Sequence, residues 1–215
     1  MLMRILFISS LVLVWLPAGI AGAQQQYLDP GEAGFLLGGL FSRSEGYSGF
    51  GGRADYAFTD VLGAGVSLQR AENMDYEWIE FAPSVTALAV RPSKRWPVGL
   101  SFGAGYARIR QNRLDEDSIH RNRRISIYSF GVSLYLRLEL SRGLVLYPTV
   151  GDAYTKAGYD VDDPDLGTYH ESGKGQFAST FGFAVQAQRR FVFEATGVRA
   201  GGKISYVLSL NLLLD

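Results

Sequence analysis

Two histidines stand in the most polar stretches of the sequence, and a histidine beside an acid is a combination that hydrolases use. His120 lies in RQNRLDEDSIHRNR (110–123) and His170 lies in YDVDDPDLGTYHESGKG (159–175). Both stretches also contain carboxylates and a serine, and a histidine oriented by a carboxylate can act as a general base. Polar loops contain these residue types by default, and the spacing matches no hydrolase family residue by residue. We therefore expect no catalytic residues and a protein that is not an enzyme, with a hydrolase as the lesser alternative.

A cluster of arginines in and beside the 110–123 stretch is a second candidate for chemistry. Guanidinium groups bind phosphate through paired hydrogen bonds, so the cluster could hold a phosphorylated ligand. The acidic segment 160–165 is an equally good partner for it, and the sequence does not separate the two. The candidate residues are Arg110, Arg113, Arg121, Arg123 and Arg124.

The acidic stretch DVDDPDLG (160–167) resembles a calcium loop in composition but not in order. It lacks the D-x-[DN]-x-[DN]-G spacing that places oxygen ligands around calcium in a helix-loop-helix site. A solvated acidic loop explains it better. We expect no metal and no cofactor.

Composition limits the function classes. The 215 residues include 21 Lys or Arg and 21 Asp or Glu, which gives a net charge of zero. Such a chain has no basic field for nucleic acid. It contains no cysteine, which excludes a disulfide framework and a lipid attached to an N-terminal cysteine. Its length suits one domain.

The first residues, MLMRILFISSLVLVWLPAGIAGAQQQ, predict an export signal. Arg4 precedes an apolar run that Pro17 ends, and Ala21-Gly22-Ala23 supplies a small-x-small cleavage site. An uncleaved anchor is the alternative. We expect a cleaved signal peptide at 1–23, a short linker at 24–31 and a single domain at 32–215. No later stretch approaches the roughly 20 apolar residues of a membrane helix.

Alternation with a period of two runs from residue 33 to the end and predicts an all-β chain of about ten strands, with eight as the alternative. Short connections alternate with mostly longer, polar ones, as they do in transmembrane barrels with turns at one end and loops at the other. The predicted strands are 33–43, 48–58, 61–71, 77–91, 97–109, 124–140, 143–156, 176–188, 190–198 and 203–214.

The two faces of these strands differ in a way that decides their orientation. In VGLSFGAGYARI (98–109), the residues from 98 to 106 at every second position are mostly bulky, and the residues between them, from 99 to 107, are glycine, serine or alanine. A soluble barrel or sandwich would carry lysine, arginine and glutamate on its water face. Here the small face is too neutral for that, and the four lysines lie in predicted turns or strand ends: Lys94, Lys156, Lys174 and Lys203. We therefore predict that the bulky face meets lipid and the small face lines a narrow lumen.

The export signal, the alternating strands and the glycine-aromatic stretches SFGAGYARI (101–109) and LYPTVGDAYT (146–155) resemble the small outer-membrane β-barrel proteins of Gram-negative bacteria, the outer membrane protein A- and X-like group. The resemblance covers the chain after the signal and implies a closed antiparallel transmembrane up-and-down β-barrel in the bacterial outer membrane. It also implies contact with outer-membrane lipid and lipopolysaccharide, and with the barrel-assembly machinery during biogenesis. Two features depart from the group: the chain ends NLLLD (211–215) rather than in an aromatic residue, and Asp152 falls on the predicted lipid face.

Six charged residues lie inside strands on the predicted lumen face. In a narrow interior of low dielectric, opposite charges should pair, because an isolated buried charge is costly. They are Arg53, Asp55, Glu80, Arg137, Glu139 and Glu194. Counted in residues from the short turns, Arg53, Asp55, Arg137 and Glu194 lie at similar heights along the barrel, and Glu80 lies near the long-loop end. We expect them to form a polar plug in a non-enzymatic barrel with a structural or surface-interaction role; a narrow pore for small solutes, with these charges as its gate, is the alternative.

Overall fold

The computed structural model describes residues 24–44, 46–72, 76–93, 95–113, 123–163 and 167–214, and most of them lie in strands. No helix among these residues is long and apolar enough to cross a membrane. The elements are η1 (Gln24–Tyr27), a 3-10 helix, and the strands β1 (Gly34–Ser44), β2 (Tyr47–Ala57), β3 (Leu62–Glu72), β4 (Tyr76–Val90), β5 (Val98–Arg113), β6 (Arg123–Leu136), β7 (Leu138–Ser141), β8 (Leu144–Asp163), β9 (Gly167–Ser172), β10 (Gln176–Ala187), β11 (Phe191–Ala200) and β12 (Lys203–Leu214).

Ten of these strands form a closed antiparallel up-and-down barrel, as the alternation predicts. β12 pairs with β1, and β8 pairs with β10, so the sheet has no open edge. The two remaining strands, β7 and β9, extend neighbouring strands and are not members of the closed ring. β7 continues β6 after a break at Arg137 and pairs with the start of β8, whereas β9 pairs with the far end of β8.

Burial alternates along each strand and confirms which residues share a face. In β12, Leu208, Leu210 and Leu212 are exposed on the outer surface, while Ser209 and Asn211 are buried inside. A soluble barrel would show the reverse. The bulky residues therefore cover the outside of the barrel and the small polar residues fill its interior.

Apolar side chains occupy both ends of the interior. At the end that carries the short turns, such as Gly143, they surround Tyr27 and Leu28 of the N-terminal segment. Near the long-loop end they surround Trp78 and Ile109.

The structure differs from the predicted strands in four places. β9 lies within 159–175, a polar stretch with no predicted strand. β5 and β8 run on to Arg113 and Asp163, because pairing continues past the predicted ends at 109 and 156. Lys156 consequently lies within a strand, exposed on the outer surface. The predicted strand 124–140 is interrupted at Arg137. The segment 24–31, predicted as a linker, begins with η1, which packs against the barrel.

Candidate functional site

The candidate site is a cluster of ionised side chains inside the barrel, centred on Arg53 of β2. Its Nη1 donates to Oε2 of Glu194 on β11 at 2.7 Å. Its Nε donates to Oδ2 of Asp55, two residues along the same strand, at 2.6 Å. The exposed fractions of these side chains are 5% for Arg53, 14% for Asp55 and 7% for Glu194. One guanidinium thus satisfies two buried carboxylates.

The carboxylate of Glu194 is saturated with donors from three directions. The hydroxyl of Tyr27 donates to Oε1 at 2.6 Å. The hydroxyl of Ser209 donates to Oε2 at 2.6 Å, and the amide of Asn211 donates to the same oxygen at 3.2 Å. Because a buried charge is costly unless it is paired and hydrogen-bonded, these contacts are what permits Glu194 inside the barrel.

Two glycines make the space for this cluster. Gly38 on β1 lies between Arg53 and Asn211, which are its cross-strand partners on either side. A Cβ on Gly38 would overlap the Asn211 side chain and the backbone of Leu210. Gly65 on β3 pairs with Asp55, and a Cβ there would overlap the Asp55 carboxylate. Because these inner-face glycines have no side chain, they leave space that the side chains of Asn211 and Asp55 occupy.

The N-terminal segment enters the short-turn end of the barrel and is held there by hydrogen bonds. Gln25 exchanges hydrogen bonds with the Thr86 hydroxyl, each 3.1 Å long. Arg91 donates to the Leu28 carbonyl at 2.5 Å, and Gln186 donates to the Tyr27 carbonyl at 3.0 Å. Thr86 lies on β4, Arg91 directly follows β4, and Gln186 lies on β10, so contacts from two separate strands hold the segment.

Tyr27 joins this segment to the charged cluster. Its ring packs edge-on against Tyr147, with 5.2 Å between centroids, while its hydroxyl reaches Glu194. Burial raises the pKa of the Tyr27 phenol well above its usual value of 10.0, and the negative charge of Glu194 raises it further. Tyr27 therefore stays neutral, keeps its proton and donates a hydrogen bond to the carboxylate.

Glu80 lies in the interior but apart from the Arg53 cluster. It is 1% exposed, its cross-strand neighbours are Gln69 and Ile109, and its Oε2 has no hydrogen-bond partner among the described residues. The structure does not bring Arg137 and Glu139 to the cluster either. Both are exposed at the short-turn end, because the strand breaks at Arg137.

The five arginines that are candidates for binding phosphate or for pairing with the acidic segment 160–165 do not form one cluster. Arg110 and Arg124 are exposed on the outer surface and are direct cross-strand neighbours. Arg113 and Arg123 lie at strand ends, where only the backbone is described. Arg121 lies outside the described residues, as does His120.

His170 has an acid beside it, as a hydrolase would need. Its Nδ1 lies 2.7 Å from Oδ1 of Asp160, and both side chains are largely exposed. Within the described parts of the chain, no serine hydroxyl bonds to the His170 ring. In the same residues, no group of three or more histidine and acidic side chains could hold a metal ion.

Asp152, the acid on the predicted lipid face, does lie on the outer surface. It is exposed on β8, and the Ser179 hydroxyl of β10 donates to its Oδ1 at 2.7 Å. The serine is its cross-strand partner. This one hydrogen bond partly compensates a carboxylate that faces outward among apolar residues.

Sequence reasoning missed three members of the cluster: Tyr27, Ser209 and Asn211. The alternation of β12 places Ser209 and Asn211 on the inner face, so their contact with a buried charge could have been inferred. Tyr27 follows three glutamines and carries no such signal.

The protein is a closed ring of ten strands with leucine and phenylalanine side chains outside and charged side chains inside. The chain has the fold of the outer-membrane β-barrels. The translocator domain of the autotransporter NalP from Neisseria meningitidis is similar with a TM-score of 0.50 at 9% identity, covering 85% of this chain and 87% of that one.

Two further solved barrels are similar to this chain. The N-terminal barrel domain of Pseudomonas aeruginosa OprF has a TM-score of 0.47 at 11% identity, covering 86% of this chain and 99% of that one. Ail, the attachment invasion locus protein of Yersinia pestis, has a TM-score of 0.42 at 14% identity with the same coverage. No family model matches the sequence, and no curated protein is significantly similar to it.

Proposed function

We propose that this protein resides in the outer membrane of a Gram-negative bacterium as a non-enzymatic barrel with a plugged polar lumen and a structural or surface-interaction role. The fold and the apolar outer surface support this location, since an outward row such as Leu208, Leu210 and Leu212 suits acyl chains. Its partners are outer-membrane lipid and lipopolysaccharide, and the barrel-assembly machinery during biogenesis.

The observation that carries the plug is the pair between Arg53 and Glu194. β1 and β12 lie between the strands of these two residues, so their side chains bridge part of the interior instead of lying along one wall. Tyr27 binds the same carboxylate from the N-terminal segment. An ion entering from the short-turn end would have to displace this segment and then separate a buried ion pair.

Conductance in planar lipid bilayers tests the plug. We expect the wild-type barrel to be silent, and a variant that lacks residues 24–29 and carries Arg53→Ala to open steady channels. Arg199→Gln is the matched control, because Arg199 is an exposed arginine on the outer surface. Folding of each variant is checked by its shift in gel mobility on boiling. Steady channels from the wild-type protein would contradict the plug and favour the narrow pore.

Assays with protease and lipase substrates test the absence of enzymatic activity. The His170–Asp160 pair is exposed and has no serine bonded to it among the described residues, so we expect no turnover. Turnover that His170→Ala abolishes, in a variant that still folds, would contradict the proposal.

A further inference from the structure

Three arginines form a basic patch on the outer surface near the long-loop end. Arg108 and Arg110 of β5 and Arg124 of β6 are all exposed. Arg110 and Arg124 are paired residues in the register of the two strands, and Arg108 is paired with Ser126 in the next row. We call these three residues the arginine patch.

Among the described residues, no carboxylate forms an ion pair with Arg108, Arg110 or Arg124. By contrast Arg70, one strand beyond β4, donates to Glu77 at 2.8 Å. Asp160 is the other cross-strand neighbour of Arg124, and its Oδ1 bonds to His170. Its single negative charge offsets part of the Arg124 charge, so the three arginines keep a net positive charge.

The pairing of Arg110 with Arg124 itself points to an anion. Side chains directly opposite on antiparallel strands have Cβ atoms about 5 Å apart, and like charges there destabilise the sheet. An anion between the two guanidinium groups would reverse that effect. Arginine binds phosphate in particular, since its fork of donors matches two phosphate oxygens.

The position of the patch along the barrel suits a lipid headgroup. Tyr106 and Tyr128 lie on the outer surface with 5.1 Å between ring centroids, and tyrosines of this kind mark the membrane interface. Arg108 and Arg110 follow Tyr106 by two and four residues. Two residues span about 7 Å of a strand, or about 5 Å of height at the usual tilt. The guanidinium groups thus begin just above the tyrosine level.

Apolar side chains lie beside the patch. Ile79 and Phe81 of β4 are the cross-strand partners of Arg110 and Arg108, and both are about half exposed. Together with the arginines they line a shallow groove of about 520 Å³. The groove therefore has a charged side and an apolar side. A ligand with a phosphate group and an attached hydrocarbon chain can contact the arginines with the first and Ile79 and Phe81 with the second.

We propose that the arginine patch binds a phosphate of the lipid A headgroup of lipopolysaccharide in the outer leaflet. The biological setting rests on the proposed outer-membrane location. The binding itself does not depend on the plug, because the patch lies on the opposite surface of the sheet from Arg53.

Binding of purified lipid A to the full chain in detergent tests this site. The probes are bisphosphorylated lipid A, the same lipid A with its phosphates removed, and phosphatidylglycerol. We expect the wild-type protein to prefer bisphosphorylated lipid A over both others. We expect Arg110→Gln/Arg124→Gln to bind it about tenfold more weakly. Lipid A should also raise the unfolding temperature of the wild-type protein more than that of the double variant.

Arg199→Gln is the matched control, because Arg199 is exposed on the outer surface near the end of β11, beside Ser179 and Ile204 rather than a second arginine. It should bind lipid A as the wild-type protein does. Equal affinity of the double variant and the wild type would overturn the site. Equal affinity for phosphatidylglycerol would overturn the assignment to lipid A. Neither outcome bears on conductance, so the site and the plug can fail separately.

Discussion

The guanidinium of Arg53 on β2 binds the carboxylate of Glu194 on β11 with 2.7 Å between Nη1 and Oε2, although β1 and β12 lie between these strands. The pair is buried, and the carboxylate receives further bonds from Tyr27, Ser209 and Asn211. The ion pair connects the second strand of the barrel, β2, with the second-last strand, β11, inside the barrel. Stability and closure of the lumen should therefore depend on the same few atoms.

Removing one partner of this pair should destabilise the barrel strongly. Arg53→Met leaves two buried carboxylates without a cation, which costs about 3–5 kcal/mol. Glu194→Gln should cost less, because Arg53 keeps Asp55. The free energy of unfolding in lipid vesicles, measured with urea, gives both values. The loss in the double variant should be smaller than the sum of the two single losses by at least about 1 kcal/mol. Additive losses would show that the contact contributes nothing.

Adjacent glycines on β1 offer a matched test of the space in the interior. Gly38→Ala places a Cβ against the Asn211 side chain and should cost about 1–3 kcal/mol of unfolding free energy. Gly39→Ala should be neutral or slightly stabilising, because the nearest atom to its Cβ would be 3.9 Å away on the outer surface. Equal effects of the two substitutions would contradict the assignment of the faces.

Docking of the N-terminal segment should depend on the Tyr27 hydroxyl. Tyr27→Phe removes the donor to Glu194 and should cost about 1–2 kcal/mol. The pKa of Tyr27 is raised in the folded protein, so its contribution is complete below the unfolded pKa of about 10 and decreases as the pH rises above that value. Wild-type stability should therefore fall more steeply than that of Tyr27→Phe above pH 10. Parallel pH profiles would contradict this role.

The carboxylate of Asp152 on the outer surface should lower the unfolding free energy of the barrel. A carboxylate on the lipid face is costly, so Asp152→Leu should raise the unfolding free energy by about 1–2 kcal/mol even though it loses the Ser179 bond. Val150→Leu, also on the outer surface of β8, serves as the control and should change little. A loss of stability in Asp152→Leu would show that the carboxylate makes a contribution beyond this hydrogen bond.

The fold was predictable because lipid-facing alternation is a local property of each strand. The switch from Ser209 to Leu210, repeated through the chain, gives the two faces, and the connections between the alternating stretches give the strand count. Closure follows because an open sheet edge in lipid would leave backbone N–H and C=O groups unpaired. The strand ends were less predictable. β8 runs on to Asp163 because its pairing with β6 and β9 continues, and the polar composition of that stretch reads as a loop.

The candidate site was predictable in part. Heights counted from the turns place Arg53, Asp55 and Glu194 close together, and the structure has them in contact. The same counting places Arg137 with them, but the break after Leu136 leaves Arg137 exposed. Tyr27 could not be predicted, because its contact with Glu194 depends on a segment that enters the barrel from outside the alternating region.

Orientation of the outer face toward lipid is the central claim, and spin labels on β12 test it most directly. The chain has no cysteine, so single cysteines at Ser209, Leu210 and the turn residue Gly201 can be labelled without background. In lipid vesicles, oxygen should relax the label at Leu210 and a water-soluble nickel chelate should not. The label at Ser209 should be immobile, and the label at Gly201 should be accessible to the chelate. Access of the nickel chelate to the label at Leu210 would contradict the account.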